Sequence, residues 1–386
     1  MLQYVMIKLT KMKANSYIYP YVKFANLNYK DIKNNFIKEK QVSFKEIKEL
    51  VFSIKNPQPF IGGKTKAERI LSIFVDENFL FGPVEYVESD KKQWLRKLNY
   101  FIEKKEPIQF TILSLPFKIP VPLKTNRILP DMGEVLFLLR LNLITELIQK
   151  EYLPGAQITI LAEGIFSSFV GVPPKDADDY YNRILDLNKR LGFKNIKIIP
   201  LDLIEKYVDD FKGVYDDKVA DLKKLYEDND KEFLKKYNNT YDVLCKIIST
   251  KDNNEKTLMD VYNDQINDNV VSDEVLKIRN NIKDKAHKAV FKYFAFFQLR
   301  DDIDLLEQLV PHSLRLSVSP KKNRLGIIPI NKETNRLPHH AVPVFENGKF
   351  TLQYLIDIKR DDNKYIPVYL KNDPDINPFY YIIYEK

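Results

Sequence analysis

Apolar residues along the chain alternate between short continuous runs and stretches with helical spacing. The run IQFTILSLPF at 108–117 is rich in β-branched residues and stops at a proline, which is typical of a buried strand. The runs GAQITILAEG at 155–164 and IKIIPL at 196–201 have the same character. The pattern therefore predicts three buried strands between residues 108 and 201.

Two stretches between these strands have the spacing of helices. The stretch 131–150 places apolar residues three and four positions apart on one face, namely Val135, Leu136, Leu139, Leu143 and Leu147. The stretch 173–192 begins with prolines, has acidic residues in its first turn and ends at Gly192. A strand–helix–strand–helix–strand order implies parallel strands joined by right-handed crossovers. We predict an α/β fold with a largely parallel, Rossmann-like sheet and flanking helices.

The chain changes character after residue 201. Residues 202–280 are charged, rich in Asn and Asp and helical in pattern, with a loop expected at 250–256. This part is either an inserted helical lid or a solvated outer layer. A long helix is expected at about 282–299. The C-terminal part is strand-rich, with strands predicted at 313–320, 324–330, 341–356 (a hairpin around Asn347-Gly348), 367–370 and 380–385.

Composition narrows the class of protein. No apolar run approaches the roughly 18 residues of a membrane-spanning helix, and the first 17 residues read as mature sequence without a cleavage site. A single cysteine, Cys245, excludes an intrachain disulfide or a thiolate metal site and favours the reducing cytoplasm. The net charge of +8 is spread among mixed signs. It argues against nucleic acid and suits an anionic small molecule.

The segment LPFKIPVPLKTNRILPDMGE at 115–134 combines four prolines with five charged side chains. Its prolines restrict the loop, which lowers the cost of presenting fixed charges to a ligand. The loop follows one predicted strand and Glu163 follows the next, so both belong at the carboxyl edge of the sheet, where α/β folds bind ligands. Asp131 and Glu134 could instead have a purely structural role, because their spacing also matches a capping box at the start of a helix.

The other motifs in the sequence do not indicate a specific reaction or ligand. IGGKT at 61–65 lacks the first glycine of a phosphate-binding loop. The four histidines stand at 287, 312, 339 and 340, and no metal-ligand spacing accompanies them, so no metal site is expected. His339 and His340, just before a predicted strand, include candidates for proton transfer near neutral pH. The residues alone predict an α/β protein with an anion-binding site.

The segment 102–134 resembles the signature of the pyoverdine/dityrosine biosynthesis family, the isonitrile synthases. The matched positions are Lys118, Lys124, Pro130, Asp131 and Glu134. Three further blocks resemble the family in the same order, at 154–172, 313–330 and 337–350. Ser168 and Ser319 depart from it, because the family has Asp and His there. Residues 101–386 would form the catalytic domain, with 1–100 packed on its core.

The resemblance implies condensation of the α-amine of an amino acid, tyrosine- or tryptophan-like, with the C2 ketone of ribulose 5-phosphate. It implies no metal or organic cofactor, and a downstream iron- and oxoglutarate-dependent oxygenase as a partner. The catalytic residues expected on this basis are Lys118, Glu163 and His340. The substrate-binding residues expected are Lys124, Arg127, Asp131, Glu134 and Arg315.

Two alternatives remain open at this point. Ser168 and Ser319 favour a diverged member of the family, which would join another amine to a sugar phosphate or yield a formamide. The scaffold could also serve a non-catalytic binding protein, or a basic binder of nucleic acid. Retained sugar-phosphate binding without turnover would favour the former, and salt-dependent binding to nucleic acid would favour the latter.

Overall fold

The protein is described from a computed structural model that contains two five-stranded sheets with helices around them. The structure describes residues 39–118, 124–251, 273–319, 321–334, 336–359 and 364–383. The predicted mature N-terminus, most of the loop expected at 250–256, and two of the four prolines of the charged loop lie outside these ranges.

Between residues 108 and 200 the strands and α-helices follow the order that the periodicities predict. The strands are β1 (Lys40–Val42), β2 (Ile108–Ser114), β3 (Ala156–Ala162), β4 (Ile196–Pro200), β5 (Leu314–Ser317), β6 (Leu325–Gly326), β7 (Val342–Glu346), β8 (Lys349–Gln353), β9 (Tyr365–Leu370) and β10 (Tyr380–Ile383). The α-helices are α1 (Phe44–Ser53), α2 (Lys66–Ile73), α3 (Glu85–Ser89), α4 (Lys91–Lys104), α5 (Met132–Glu151), α6 (Pro174–Leu191), α7 (Phe211–Glu227), α8 (Lys231–Lys251), α9 (Asp273–Asp302), α10 (Leu305–Leu309) and α11 (Leu355–Lys359). Three 3₁₀ helices lie at Gly164–Val170, Leu201–Lys206 and Pro338–His340.

The first sheet is parallel throughout, with the strand order β4-β3-β2-β5-β6. It confirms the predicted α/β class. Strand β2 ends at Ser114, before the proline that was expected to stop it, because Leu115 adopts a left-handed backbone with a φ of 56°. The strand order reverses between β2 and β5, which creates a crevice at their carboxyl ends.

Helices cover the parallel sheet through two hydrophobic cores. Strands β2 to β4 are joined by α5 and α6, which share the larger core with residues such as Ile158. Helices α7, α8 and α9 share the second core with Leu161 and Phe166. They occupy the region 202–280 predicted as a helical insertion or lid, and α9 extends beyond the predicted 282–299. None of the described helices has an apolar stretch long enough to cross a membrane.

Helix α5 is more deeply buried than its periodicity predicts. One apolar face was expected, but side chains all round the helix are buried, including Arg140 and Asn142. The reason is its position, because α5 contacts β3 of the parallel sheet, β7 of the second sheet and helix α2. A helix enclosed on all sides is apolar all round.

The second sheet is mixed, with the order β1-β9-β10-β7-β8. The predicted hairpin is confirmed: β7 and β8 pair antiparallel, and Asn347 and Gly348 between them have φ values of 50° and 76°. Strand β1, from the predicted N-terminal segment, pairs parallel with β9. The strand predicted at 324–330 is only two residues long, because Ile328 donates to the carbonyl of Phe79 instead of continuing the sheet.

Candidate active site

Three loops meet at the carboxyl edge of the parallel sheet, after β2, β3 and β5. The first two are in contact, because a Cβ placed on Gly164 would lie 3.7 Å from the carbonyl oxygen of Pro116. The third follows the neighbouring strand β5, at the point where the strand order reverses. Most of the residues predicted for the site therefore lie on or next to this crevice.

Lys118 lies inside the protein and has two carboxylate partners. Its Nζ is bonded to Asp131 and lies 3.0 Å from Oε2 of Glu134, and all three side chains are fully buried. The predicted capping box is also present, since Asp131 accepts from the amide of Gly133 at 2.7 Å and Glu134 from that of Asp131 at 2.8 Å. One set of carboxylates thus caps α5 and neutralises Lys118.

Tyr180 on α6 completes this arrangement. Its hydroxyl donates to Oε1 of Glu134 at 3.2 Å, and burial raises the pKa of Tyr180 well above its usual value. Burial also raises the pKa of Asp131 to about 7, although the charge of Lys118 opposes the shift. We call Lys118, Asp131, Glu134 and Tyr180 the buried charge network. Tyr180 had no signal in the sequence beyond its place on a helix.

His339 and His340 lie next to this network. Their 3₁₀ turn packs against the start of α5, where a Cβ on Gly133 would lie 3.3 Å from Cβ of Pro338. The two imidazole rings are 4.1 Å apart. Burial lowers the pKa of His339 to about 4 and that of His340 well below 6.5, and Lys124 and Lys118 add to both shifts. Both rings are therefore neutral at neutral pH.

Arg127 is fully buried and holds the loop to the C-terminal segment. Its Nη2 lies 2.7 Å from Oδ2 of Asp373, and its Nε lies 3.8 Å from Oδ2 of Asp375. The guanidinium also donates to carbonyl oxygens, including that of Pro130 at 3.2 Å. Because these internal partners occupy it, we leave Arg127 out of the proposed site. Lys124 stays in it, buried beside the two histidines.

Glu163 has a different environment from the carboxylates of the buried charge network. It is half-buried directly after β3, and among the described residues no hydrogen bond or ion pair reaches its carboxylate. Burial raises the pKa of Glu163 to about 7, and the charges of Arg300, Lys321 and Arg324 oppose that shift. We call these three residues the cationic cluster.

The cationic cluster comes from two distant parts of the chain. Arg300 lies at the end of α9, and Lys321 and Arg324 follow β5. The sequence reasoning missed all three, although the run KKNR after a half-buried strand was an available signal. Arg315, which was predicted, lies within β5, lines a small cavity together with Arg324, and has its Nη2 3.4 Å from Oδ1 of Asp304.

The two serines that depart from the family signature make local hydrogen bonds, Ser168 through its hydroxyl and Ser319 through its backbone. Ser168 is exposed and its hydroxyl donates to the carbonyl of Ile165 at 3.2 Å. Ser319 follows β5, and its amide and carbonyl both bond to the hydroxyl of Ser317. Neither serine supplies a group that titrates near neutral pH. Glu163 is therefore the ionisable side chain that the loop after β3 brings to the crevice.

Comparisons with known proteins match most of this chain. Residues 98–366 match the family described as pyoverdine/dityrosine biosynthesis protein. The L-tryptophan isonitrile synthase AmbI2 of Fischerella ambigua is 28% identical over 267 residues, which cover 67% of this chain and 74% of that protein. The L-tyrosine isonitrile synthase of Xenorhabdus nematophila is 27% identical over 301 residues, covering 74% and 82%. The crystal structure of PvcA from Pseudomonas aeruginosa has the same fold, with a TM-score of 0.59 and 19% identity over 83% of this chain and 100% of that one.

Proposed function

Because the chain belongs to the pyoverdine/dityrosine biosynthesis protein family, we propose that it is an isonitrile synthase that joins the α-amine of an amino acid to the C2 ketone of ribulose 5-phosphate. The chain is an enzyme, and the relatives named above are isonitrile synthases of tryptophan and tyrosine. Their names support an aromatic amino acid as the substrate of this chain.

The first step of this reaction requires proton transfers at one place. An amino acid arrives as an ammonium ion, so a base must remove a proton before nitrogen can attack the ketone carbon. As the carbon–nitrogen bond forms, the ketone oxygen takes up a proton, and it later leaves as water to give the imine. A side chain whose pKa lies close to the working pH serves both directions of transfer.

The observation that carries the assignment is the state of Glu163. Its carboxyl group lies at the carboxyl edge of the sheet, has no partner among the described residues, and has a pKa raised to about 7. Asp131 and Glu134, in contrast, are bonded to Lys118 and to backbone amides. We therefore assign the proton transfers to Glu163.

The other predicted residues take supporting roles in this proposal. His340, neutral at working pH, accepts a hydrogen bond from the substrate amine. Lys124, buried beside it, pairs with the amino-acid carboxylate. Lys118 acts from inside the protein by fixing the start of α5, against which His340 and its turn are packed.

The compartment and the downstream partner are part of the same proposal. Cys245 is the single cysteine of the sequence, so no intrachain disulfide can form, and this supports the cytoplasm, where thiols stay reduced. An isonitrile product would be consumed by an oxidising enzyme, and we keep the iron- and oxoglutarate-dependent oxygenase as that partner.

The proposal is tested by mass spectrometry of the purified full chain incubated with a pool of amino acids and ribulose 5-phosphate labelled at its ketone carbon. We expect one aromatic amino acid to disappear and a labelled isonitrile to form. Glu163→Gln should abolish the product, and Glu103→Gln, on the exposed side of α4, should not. A labelled formamide would instead indicate a diverged reaction, and an unchanged amino-acid pool would refute the proposal.

A further inference from the structure

We infer that Arg300, Lys321 and Arg324 form the subsite that binds the phosphate group of the sugar substrate, beside Glu163 at the carboxyl edge of the parallel sheet. The inference rests on the proposed function for the identity of the sugar. The subsite itself would recognise any phosphate monoester. Lys124 and Arg127, which were expected to bind substrate, belong to the loop after β2, whereas this subsite belongs to the loop after β5 and to α9.

The position of the cluster agrees with this role. Strand β2 lies between β3 and β5, so the loop that carries Glu163 and the loop that carries Lys321 and Arg324 flank the charged loop after β2. Arg300 reaches the same place because α9 packs against the 3₁₀ helix Gly164–Val170. Ligands of doubly wound sheets bind at this edge, where the strand order reverses.

Arg300 is held rigidly and retains an unused donor. Its Nε and Nη2 donate to Oδ1 of Asp301 at 2.9 and 2.6 Å, and its guanidinium carbon lies 4.5 Å from the ring centroid of Phe297. The residue is 4% exposed, and its Nη1 is buried without a hydrogen-bond partner among the residues that the structure describes. A buried donor without an acceptor costs free energy, and a phosphate oxygen would remove that cost.

Lys321 and Arg324 are likewise uncommitted. Among the described residues neither has a hydrogen bond or an ion pair, although Lys321 is exposed and Arg324 is half-buried. Burial, followed by the charge of neighbouring cations, lowers the pKa of both groups. An anion placed among these cations would relieve their mutual repulsion. Lys321 is exposed, Arg324 is half-buried and Arg300 is buried, so an anion can enter this site from solvent.

The charge of the cluster fits phosphate better than a carboxylate. A phosphate monoester carries about −1.5 to −2 charges at neutral pH and offers three acceptor oxygens. Asp301 already pairs with Arg300. The cluster therefore has two uncompensated positive charges, those of Lys321 and Arg324, and they match the charge of the monoester. A single carboxylate would leave the cluster with excess positive charge. The amino-acid carboxylate is better served by Lys124, beside His340.

The test is isothermal titration calorimetry of the full chain with inorganic phosphate, ribulose 5-phosphate and unphosphorylated ribulose. Arg324→Gln should weaken the binding of both phosphate-containing ligands at least about tenfold and leave the affinity for ribulose unchanged. Lys321→Gln, at an exposed position, should weaken them about threefold. Lys322→Gln, at the exposed neighbouring lysine, is the matched control and should change nothing.

The outcomes separate this inference from the proposed function. Unchanged phosphate affinity in Arg324→Gln and Lys321→Gln, with melting temperatures like that of the unsubstituted chain, would overturn the subsite. Isonitrile formation with an unchanged KM for ribulose 5-phosphate in Arg324→Gln would overturn it while the proposed function stands. Loss of phosphate binding in the variants of a chain that makes no isonitrile would support the subsite and refute the function.

Discussion

Two groups of charged residues lie at the same edge of the parallel sheet, and they differ in how their charges are matched. In the buried charge network, Lys118 has two carboxylate partners, and Glu134 also accepts from Tyr180 and from a backbone amide. In the cationic cluster, Lys321 and Arg324 have no such partners among the described residues, and the carboxylate of Glu163 beside them has none either.

In our proposal, a matched position of the family signature and a substrate contact are separate properties. Lys118, Asp131 and Glu134 stand on matched positions, and their partners fix a loop to a helix start. Glu163 and the cationic cluster stay available, so a ligand can complete their interactions. Substitutions should therefore affect stability in the first group and activity in the second.

The largest effect expected is on stability, in Lys118→Met. It leaves two buried carboxylates without their cation, which costs about 3–5 kcal/mol of unfolding free energy. Urea unfolding followed by the fluorescence of Trp94, the single tryptophan, measures this. Lys322→Met at an exposed position is the control. A loss below about 1 kcal/mol would show that the network is not a structural unit.

Glu163→Gln should reduce kcat/KM at least about a hundredfold, because it removes the group that transfers protons. In the unsubstituted enzyme kcat/KM should rise with pH through a value of about 7, as Glu163 loses its proton and becomes a base. The variant should lack this rise. An identical pH profile in the two proteins would assign the base to another residue.

The same substitution should have the opposite effect on stability from Lys118→Met. The pKa of Glu163 is raised from 4.5 to about 7, so between these values the folded protein binds more protons than the unfolded chain. The contribution of Glu163 to the unfolding free energy therefore falls as pH rises through this window. Glu163→Gln should melt above the unsubstituted protein beyond pH 7 and equally below pH 4.5.

The smallest effect concerns His339, at the boundary of the buried charge network. Its pKa is lowered from 6.5 to about 4, so in this window the unfolded chain binds more protons and stability rises with pH. Stability is lost as the pH falls through about 4. His339→Asn should flatten the melting profile over this window, by on the order of 1 kcal/mol. An unchanged slope would contradict a half-buried neutral ring at His339.

The sequence predicted the parallel sheet because its signals are local. Each buried strand is a continuous apolar run, and α6 carries its own start and stop residues at Pro174 and Gly192. The burial of α5 on all sides could not be predicted from its own sequence. It depends on a second sheet, which is built from β1 and from strands near the C-terminus. The spacing of apolar residues indicates which face of a helix or strand is apolar. It does not indicate which other elements pack around that helix or strand.

The residues of the candidate site differ in the same way, because local sequence predicts the position of some and not of others. Glu163 could be placed from the sequence because it directly follows a buried strand. Arg300 could not, because it reaches the crevice through the packing of α9 against the 3₁₀ helix Gly164–Val170. Arg127 was expected to bind substrate, but Asp373, its ion-pair partner, lies far along the chain and no sequence pattern connects them.

The parallel pairing of β1 with β9 has a consequence for the order in which the chain assembles. Lys40 pairs with Val368, so this sheet closes only after nearly the whole described chain has been synthesised. The strands β2, β3 and β4 need no such delay, since each emerges soon after its neighbour. We expect strands β2 to β4 to assemble early, whereas the crevice also needs β5 and forms later, and its charged loop stays loose until residues 373–377 arrive at Arg127. The charged loop therefore reaches its final position only after residues 373–377 have been synthesised.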